Sequence, residues 1–347
     1  MRTVLVVIFA YVLCVSCAER ITVINAKVLM PAQAHSAIDL RKLAVMPMAG
    51  EQGYAFTSEI ETVISSIIIN DKPYFTLVDR SALDKVISEM QLNVSGLVEN
   101  EVAASVGRLI GADGIIIGAV NQRGTNTQPY TENRYYTECG AYSYVTGPYN
   151  TQIPVCVNWI QKSYTVQCYQ KSAIFSFSVK LIEVQTGRVV YANTYPSANS
   201  DSACVDRRAV ESDIALLRKS VEGAKTAFRQ DIAPYYAVMK VKVMDETDGI
   251  KESSDRKKFE TALEYSKSGR VDRACELWRE IPPGASFPLA YNLAACAEVF
   301  GELEKALDLY NKADRIFGKP NADINASLVR VRKLIEDKKK LQTQIKN

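Results

Sequence analysis

A chain of 347 residues with 47% hydrophobic side chains can bury a full core and has room for two domains. Its formal net charge of +3 is spread along the sequence and declares no nucleic-acid footprint, and its single histidine, His35, almost excludes histidine-based acid/base, triad or metal chemistry. No P-loop, Gly-x-Ser-x-Gly or metal-ligand spacing occurs, so the expected class is neither an enzyme nor a cofactor or metal carrier.

At the N-terminus Arg2 precedes an apolar run from Val4 to Val15, the length of a signal-peptide core and too short to span a bilayer stably. The run ends Leu13-Cys14-Val15-Ser16-Cys17, which resembles the lipobox cut by bacterial signal peptidase, although Cys14 stands where an aliphatic residue is usual. That resemblance implies that residues 1–16 are a removed signal peptide and that Cys17 carries acyl chains able to hold a soluble body on a membrane. Ala18 favours the outer membrane. Residues 17–40 show no clear period and read as a tether, with room for a short strand at Ile21 to Ile24.

The segment from Leu43 to Gln122 then alternates strands with helices. Leu43 to Met46 is a short buried strand stopped by Pro47, and a helix capped by Ser58 carries Ile60, Val63, Ile64, Ile67 and Ile68 on one face. Tyr74 to Val78 reads as a strand, followed by a helix capped by Ser81 with Leu83, Val86, Ile87 and Met90 inward. Another helix starts near Glu99, turns Val102, Val106, Leu109 and Ile110 inward and stops at Gly111, a left-handed C-cap. Ile115 to Val120 is continuously apolar, as in a strand covered on both faces. The alternation predicts an α/β layer fold.

Beyond Val120 the character changes. Gly124 to Gln161 is rich in Tyr, Thr, Asn, Gly and Pro, and Gly147-Pro148-Tyr149-Asn150 is a turn, so the insert over residues 122–170 reads as a long β-hairpin. Tyr135, Tyr136, Tyr142 and Tyr144 are its candidate protein contacts, because tyrosine is enriched at interfaces and no basic groove accompanies them for nucleic acid. In an exported chain Cys139, Cys156, Cys168 and Cys204 read as two disulfides; three pairings are open, and a metal site is the rival without Cys-x-x-Cys spacing or histidine partners.

From Ser172 a strand (Ile174, Phe175, Phe177, Val179, Leu181, Ile182) turns at Thr186-Gly187 into Val189 to Tyr191. Asp206 to about Gln230 is an amphipathic helix with Val210, Ile214, Leu217, Val221, Ala224 and Phe228 on one face, and Tyr236 to Met244 is a last strand. After a polar linker, Ser268-Gly269-Arg270-Val271-Asp272-x-Ala274-x-x-Leu277-Trp278 recurs as Phe300-Gly301-Glu302-Leu303-Glu304-x-Ala306-x-x-Leu309-Tyr310. This repeat over residues 254–347 resembles tetratricopeptide repeats. Cys275 and Cys296 read first as small core residues on facing helices, with a bridge compatible with export.

The Ala-Val-Met-Pro strand, Phe75-x-x-Val78-Asp79-Arg80, Val106-Gly107-x-x-Ile110-Gly111-Ala112-Asp113, Gly118-Ala119-Val120 and the strand, Thr-Gly turn, strand unit resemble the CsgG/HfaB family of bacterial outer-membrane lipoproteins. The resemblance implies a layered sheet-and-helix domain over residues 41–245, ahead of a small all-α domain. It also implies a lipid-anchored outer-membrane protein facing the periplasm, compatible with a homo-oligomer; the repeats and the Tyr-rich hairpin are its expected contacts with other envelope proteins. Two functions follow: a scaffold subunit of an envelope assembly, or a subunit of an oligomeric secretion channel. Neither face of Val155 to Gln170 is continuously apolar, and Tyr191 to Asp206 is too short and too polar for two spanning strands, so no open pore is expected from this chain alone.

Overall fold

The structure, a computed structural model, describes residues 22–34, 40–92 and 98–345. His35, Cys17 and the signal peptide lie outside them. The described residues divide into two compact units, one within residues 31–235 together with 343–345 and the other of residues 22–30 with 236–342.

The first unit is an α/β layer structure. Its strands are β2 (Lys42–Val45), β5 (Thr76–Leu77), β6 (Gly114–Thr146), β7 (Gln152–Glu183) and β8 (Val189–Cys204), preceded in sequence by β1 (Val23–Met30) and, between β2 and β5, by the small hairpin β3 (Ile68–Ile69) and β4 (Lys72–Pro73). The sheet order is β5-β2-β6-β7-β8, with β2 parallel to β5 and β6 and the last three strands antiparallel. Strand alternation sends Ala44, Met46, Ile115, Ile117 and Ile182 to one face, where they meet Leu83 and Ile87 of α2 (Arg80–Glu89) and Ala103, Ala104 and Val106 of α3 (Asn100–Ile110). On the other face Phe56 of α1 (Gly53–Ser65) sits 5.0 Å and 4.9 Å from the rings of Phe175 and Phe177, and Phe228 of α4 (Asp213–Ile232) completes the cluster with Tyr195. The continuous apolar run of β6 follows from being covered on both sides.

Several boundaries differ from the periodicity. α1 begins at Gly53 after Gln52 in a left-handed conformation, not at Ser58, and ends at Ser65, so Ile67 and Ile68 lie beyond the helix, Ile68 exposed. The cap of α2 is Asp79, whose carboxylate accepts from the Ser81 amide at 2.6 Å; Ser81 is inside the helix. Tyr74 and Phe75 are buried, but only Thr76–Leu77 pairs as a strand. α4 begins at Asp213 with Ser212 as its cap, because Arg208 and the Glu211 amide bind the Asp201 carboxylate and hold residues 205–212 as a turn; Ile214 is exposed and Leu216 takes the inward position.

The second unit contains α5 (Ser253–Lys267), α6 (Val271–Arg279), α7 (Phe287–Val299), α8 (Leu303–Phe317) and most of α9 (Ala322–Ile345), with a two-stranded sheet of β1 and β9 (Tyr235–Lys242). The tether expected over residues 17–40 is therefore structured from Val23 to Met30. Ile24, Val241 and Val243 are buried with Phe259 and Trp278, so this strand and β9, expected in the α/β domain, are held by the helical core. Equivalent positions of the repeat behave alike: Ala274 and Ala306, and Trp278 and Tyr310, are all fully buried. Gly269 and Gly301 have φ of 85° and 76° with no atom crowding an added Cβ, so backbone conformation and not space requires glycine there. Cys275 and Cys296 are buried and bridged, one step beyond the core role expected of them.

Candidate protein-contact surface

The residues of the Asp-Arg and Gly-Ala-Asp motifs are occupied by the fold. The Arg80 guanidinium donates to the Val45 carbonyl at 3.0 Å and pairs with Glu61 at 3.4 Å, tying α2 to β2 and α1. Burial raises the Glu61 carboxyl above its usual pKa, opposed by Arg80. Asp113 accepts from the Lys42 amide at 2.8 Å, and its own amide donates to the Lys42 carbonyl. A Cβ on Gly107 would stand 2.4 Å from Val184 Cγ2 and one on Gly118 2.4 Å from the Ser178 carbonyl oxygen, so these glycines allow close approach of helix to sheet and strand to strand. The hydroxyls of Tyr191 and Tyr195 and the Asn193 amide converge on the Asp231 carboxylate, fastening α4 to β8; burial and the bond to Asp231 push Tyr191 up to about 12.

What remains exposed and ordered is the far end of the β6–β7 hairpin. The β7–β8 ladder ends where Cys168 opposes Cys204, and the two are bridged. Of the three pairings left open, the structure has Cys168–Cys204 and Cys139–Cys156. Past that staple, β6 and β7 continue alone from Thr131↔Gln167 to Thr146↔Gln152, roughly 50 Å of ribbon at the usual strand rise. Gly147 and a short 3-10 turn over Pro148–Asn150 close it, with Tyr149 and Asn150 at positive φ. The Tyr191 to Asp206 window holds one strand, the Tyr191–Cys204 part of β8, paired with β7, and then a turn.

Directly opposed residues share a face. One face carries Glu132, Arg134, Tyr136, Glu138, Lys162 and Tyr164, with the charges paired: Arg134 to Glu132 and to Asp206 at 3.1 Å, Lys162 to Glu138. Hydrogen bonds to Asp206 and Glu132 raise the Arg134 pKa. The other face carries Tyr135, Cys139, Trp159, Tyr142, Cys156 and Tyr144, with Thr137, Gln161, Ser163 and Pro154 between them and no charged residue from Thr131 to the tip. Tyr135, Tyr142, Tyr144 and Trp159 expose 65%, 61%, 65% and 66% of their surface, so the strip is not filling a core.

The four tyrosines singled out in the sequence are thus not one surface. Tyr136 lies on the charged face, its ring 6.1 Å from that of Tyr164. Trp159 belongs with the other three and was missed; the signal available was its register opposite Cys139. Strict alternation over Val155 to Gln170, which would set Cys156 on the face opposite Trp159, also fails locally, because irregularities at Gly140 and Val157 break it and put the two on one face. The nearest gathering of potential metal ligands among the described residues is Glu132 with Cys168 and Cys204, whose thiols are spent on the bridge. Among the described residues no helix is long and apolar enough to cross a membrane.

Residues 55–205 match the family model described as curli production assembly/transport component CsgG. The match lies inside the α/β unit and takes in the whole ribbon, while β2 and α4, which the sequence resemblance included, fall outside it. No curated protein matches the chain in sequence. Solved structures that align with it include the LpoB C-terminal domain from Salmonella enterica, at 13% identity over 45% of this chain and 81% of that one, with a TM-score of 0.25. Lipoprotein GNA1162 from Neisseria meningitidis aligns at 11% identity over 54% and 97%, with a TM-score of 0.28. The PelC dodecamer from Paraburkholderia phytofirmans aligns at 13% identity over 61% and 99%, with a TM-score of 0.23.

Proposed function

We propose that this chain is a lipid-anchored envelope protein, held at the outer membrane through Cys17 and facing the periplasm, that acts as an interaction subunit of an envelope assembly and not as an enzyme. The observation that carries the reading is the uncharged strip of Tyr135, Tyr142, Tyr144 and Trp159 on a ribbon that extends past the sheet. Large rigid aromatics without neighbouring charge supply contact area at low entropic cost and are the side chains that dominate protein interfaces. The lipobox-like Cys17 and the CsgG match over residues 55–205 support the compartment. The paired helices of the second unit, with their recurring Gly, Ala and aromatic positions, are read as a tetratricopeptide-like docking module for a second protein.

The test is co-isolation from envelope extracts. Replacing Tyr135, Tyr142, Tyr144 and Trp159 together by Ser should abolish recovery of partners that the parent captures, with the secondary structure unchanged by circular dichroism. Undiminished recovery would remove the ribbon from the interface.

A secretion-channel subunit is the second reading. Each strand of the ribbon exceeds the 9 to 11 residues or so that span a bilayer. Against it stand the ion pairs on one face and the Tyr, Thr, Gln and Ser composition of the other, which offers no continuous apolar band. Purified protein added to planar bilayers should give no discrete conductance; a stable large conductance would favour the channel.

A further inference from the structure

The ribbon ladder has an irregularity that cancels itself. Cys139 opposes Trp159 and Tyr142 opposes Cys156, so two residues intervene on each strand and the register is the same before and after. Between those pairs Ala141 opposes Asn158, leaving Gly140 out of the ladder on β6 and Val157 out on β7. Had the strands run regularly through this stretch, Gly140 would oppose Asn158, Ala141 would oppose Val157, and the pairings on either side would be unchanged.

The faces would not be unchanged. In a regular ladder an odd spacing reverses the side, so Tyr142 and its partner Cys156 would lie opposite to Cys139 and Trp159. Two cysteines on opposite faces of a ribbon cannot meet, since a bridge needs their Cβ atoms about 3.5–4.5 Å apart. The bond that Cys139 makes with Cys156 therefore requires the bulged form. Nothing else in the ribbon does: Gly140 can join a regular strand, and a regular ladder pairs the two residues that the bulges leave out.

We propose that the Cys139–Cys156 bridge selects, between two ladders of identical register, the one that gathers Tyr135, Tyr142, Tyr144 and Trp159 on one face. Without it the tip turns over as a unit: Tyr142 and Tyr144 join Tyr136 and Tyr164 on the charged face, while Val145, Ile153 and Val155 come round beside Trp159. The strip is then split into halves. Its consequence for partner capture rests on the ribbon being a contact surface, but the turnover itself can be read with no partner present.

The experiment uses the full chain carrying Cys139→Ala and Cys156→Ala, with one of two added cysteine pairs equilibrated in a glutathione redox buffer and located by mass spectrometry of non-reduced peptides. Ala141→Cys with Asn158→Cys reports the bulged ladder, and Ala141→Cys with Val157→Cys reports the regular one. In this background the 141–157 cross-link should form in preference to 141–158, the reverse of the order in the parent with its native bridge. Retention of the 141–158 preference would show that the bulges belong to the strands and that the bridge only follows them. Failure of both pairs would show that the bridge holds the pairing itself and not the choice of face. Either result overturns the proposal, and neither bears on whether the parent ribbon captures partners.

Discussion

Glu298 joins three helices of the second unit through one buried carboxylate. Its side chain is fully buried, accepts from Arg330 through both carboxylate oxygens at 2.6 Å and 2.8 Å, and accepts from the Tyr310 hydroxyl at 2.8 Å. Burial raises the Tyr310 hydroxyl well above its ordinary pKa, with the carboxylate beside it adding to the effect. Glu298→Ala leaves the partly exposed Arg330 without its partner and the buried Tyr310 hydroxyl without an acceptor, so it should cost the helical unit about 1–3 kcal/mol in urea unfolding. A loss of less than about 0.5 kcal/mol would show that solvent replaces both bonds. Asp201 gives the pH-dependent counterpart. Its bonds from Arg208 and then from the Glu211 amide hold its carboxyl well below the usual carboxylate range, so the unfolded turn binds the proton more readily. The stabilisation is complete above the ordinary aspartate pKa of about 4 and is lost as pH falls below it. The protection factor of the Glu211 amide should decline on acidification, and Asp201→Asn should abolish that dependence.

Among the elements, those with strong periodicity were legible and those fixed by a single tertiary bond were not. The stop of α3 was readable because Gly111 adopts the left-handed conformation, and β6 because both its faces are covered; the inner face of α3 was not, since Leu109, expected inward, is exposed and Ala103 and Ala104 are buried in its stead. The start of α4 was not, since the interaction that keeps residues 205–212 out of the helix comes from Asp201 on β8. β1 was not either: Asn25, Ala26 and Lys27 interrupt its apolar residues and leave no period-2 pattern, and only the pairing with β9 makes it a strand. In the ribbon, composition exposed the tyrosines while strict alternation over Val155 to Gln170 set Cys156 on the face opposite Trp159, because a pair of cancelling bulges leaves no trace in hydrophobic pattern. The repeat was legible at the level of packing. Ala306 is fully buried where α8 meets α7, so Ala306→Arg should overpack that crossing by about 1–3 kcal/mol or more and lower the unfolding midpoint of the helical unit, with the α/β unit unaffected. An unchanged midpoint of the helical unit would show that the crossing tolerates the added bulk.

For the molecule as a whole, membrane attachment and partner contact are assigned to different parts of the chain. The anchor is expected at Cys17, ahead of the described residues, so Cys17→Ser should abolish incorporation of labelled fatty acid and release the protein from the membrane fraction, leaving the fold intact. Persistent membrane attachment would mean that another part of the chain enters the bilayer. The contact surface is expected on the ribbon, where the CsgG match and the aromatic strip coincide.

The most direct measurement is photo-crosslinking along the ribbon in intact envelopes, with a benzophenone amino acid placed in turn at Tyr135, Tyr142, Tyr144 and Trp159 on one face and at Glu132, Tyr136 and Lys162 on the other. The strip should give discrete adducts with another polypeptide, and the charged face should give few. Adducts with lipid from one face, or no dependence on face at all, would contradict the account.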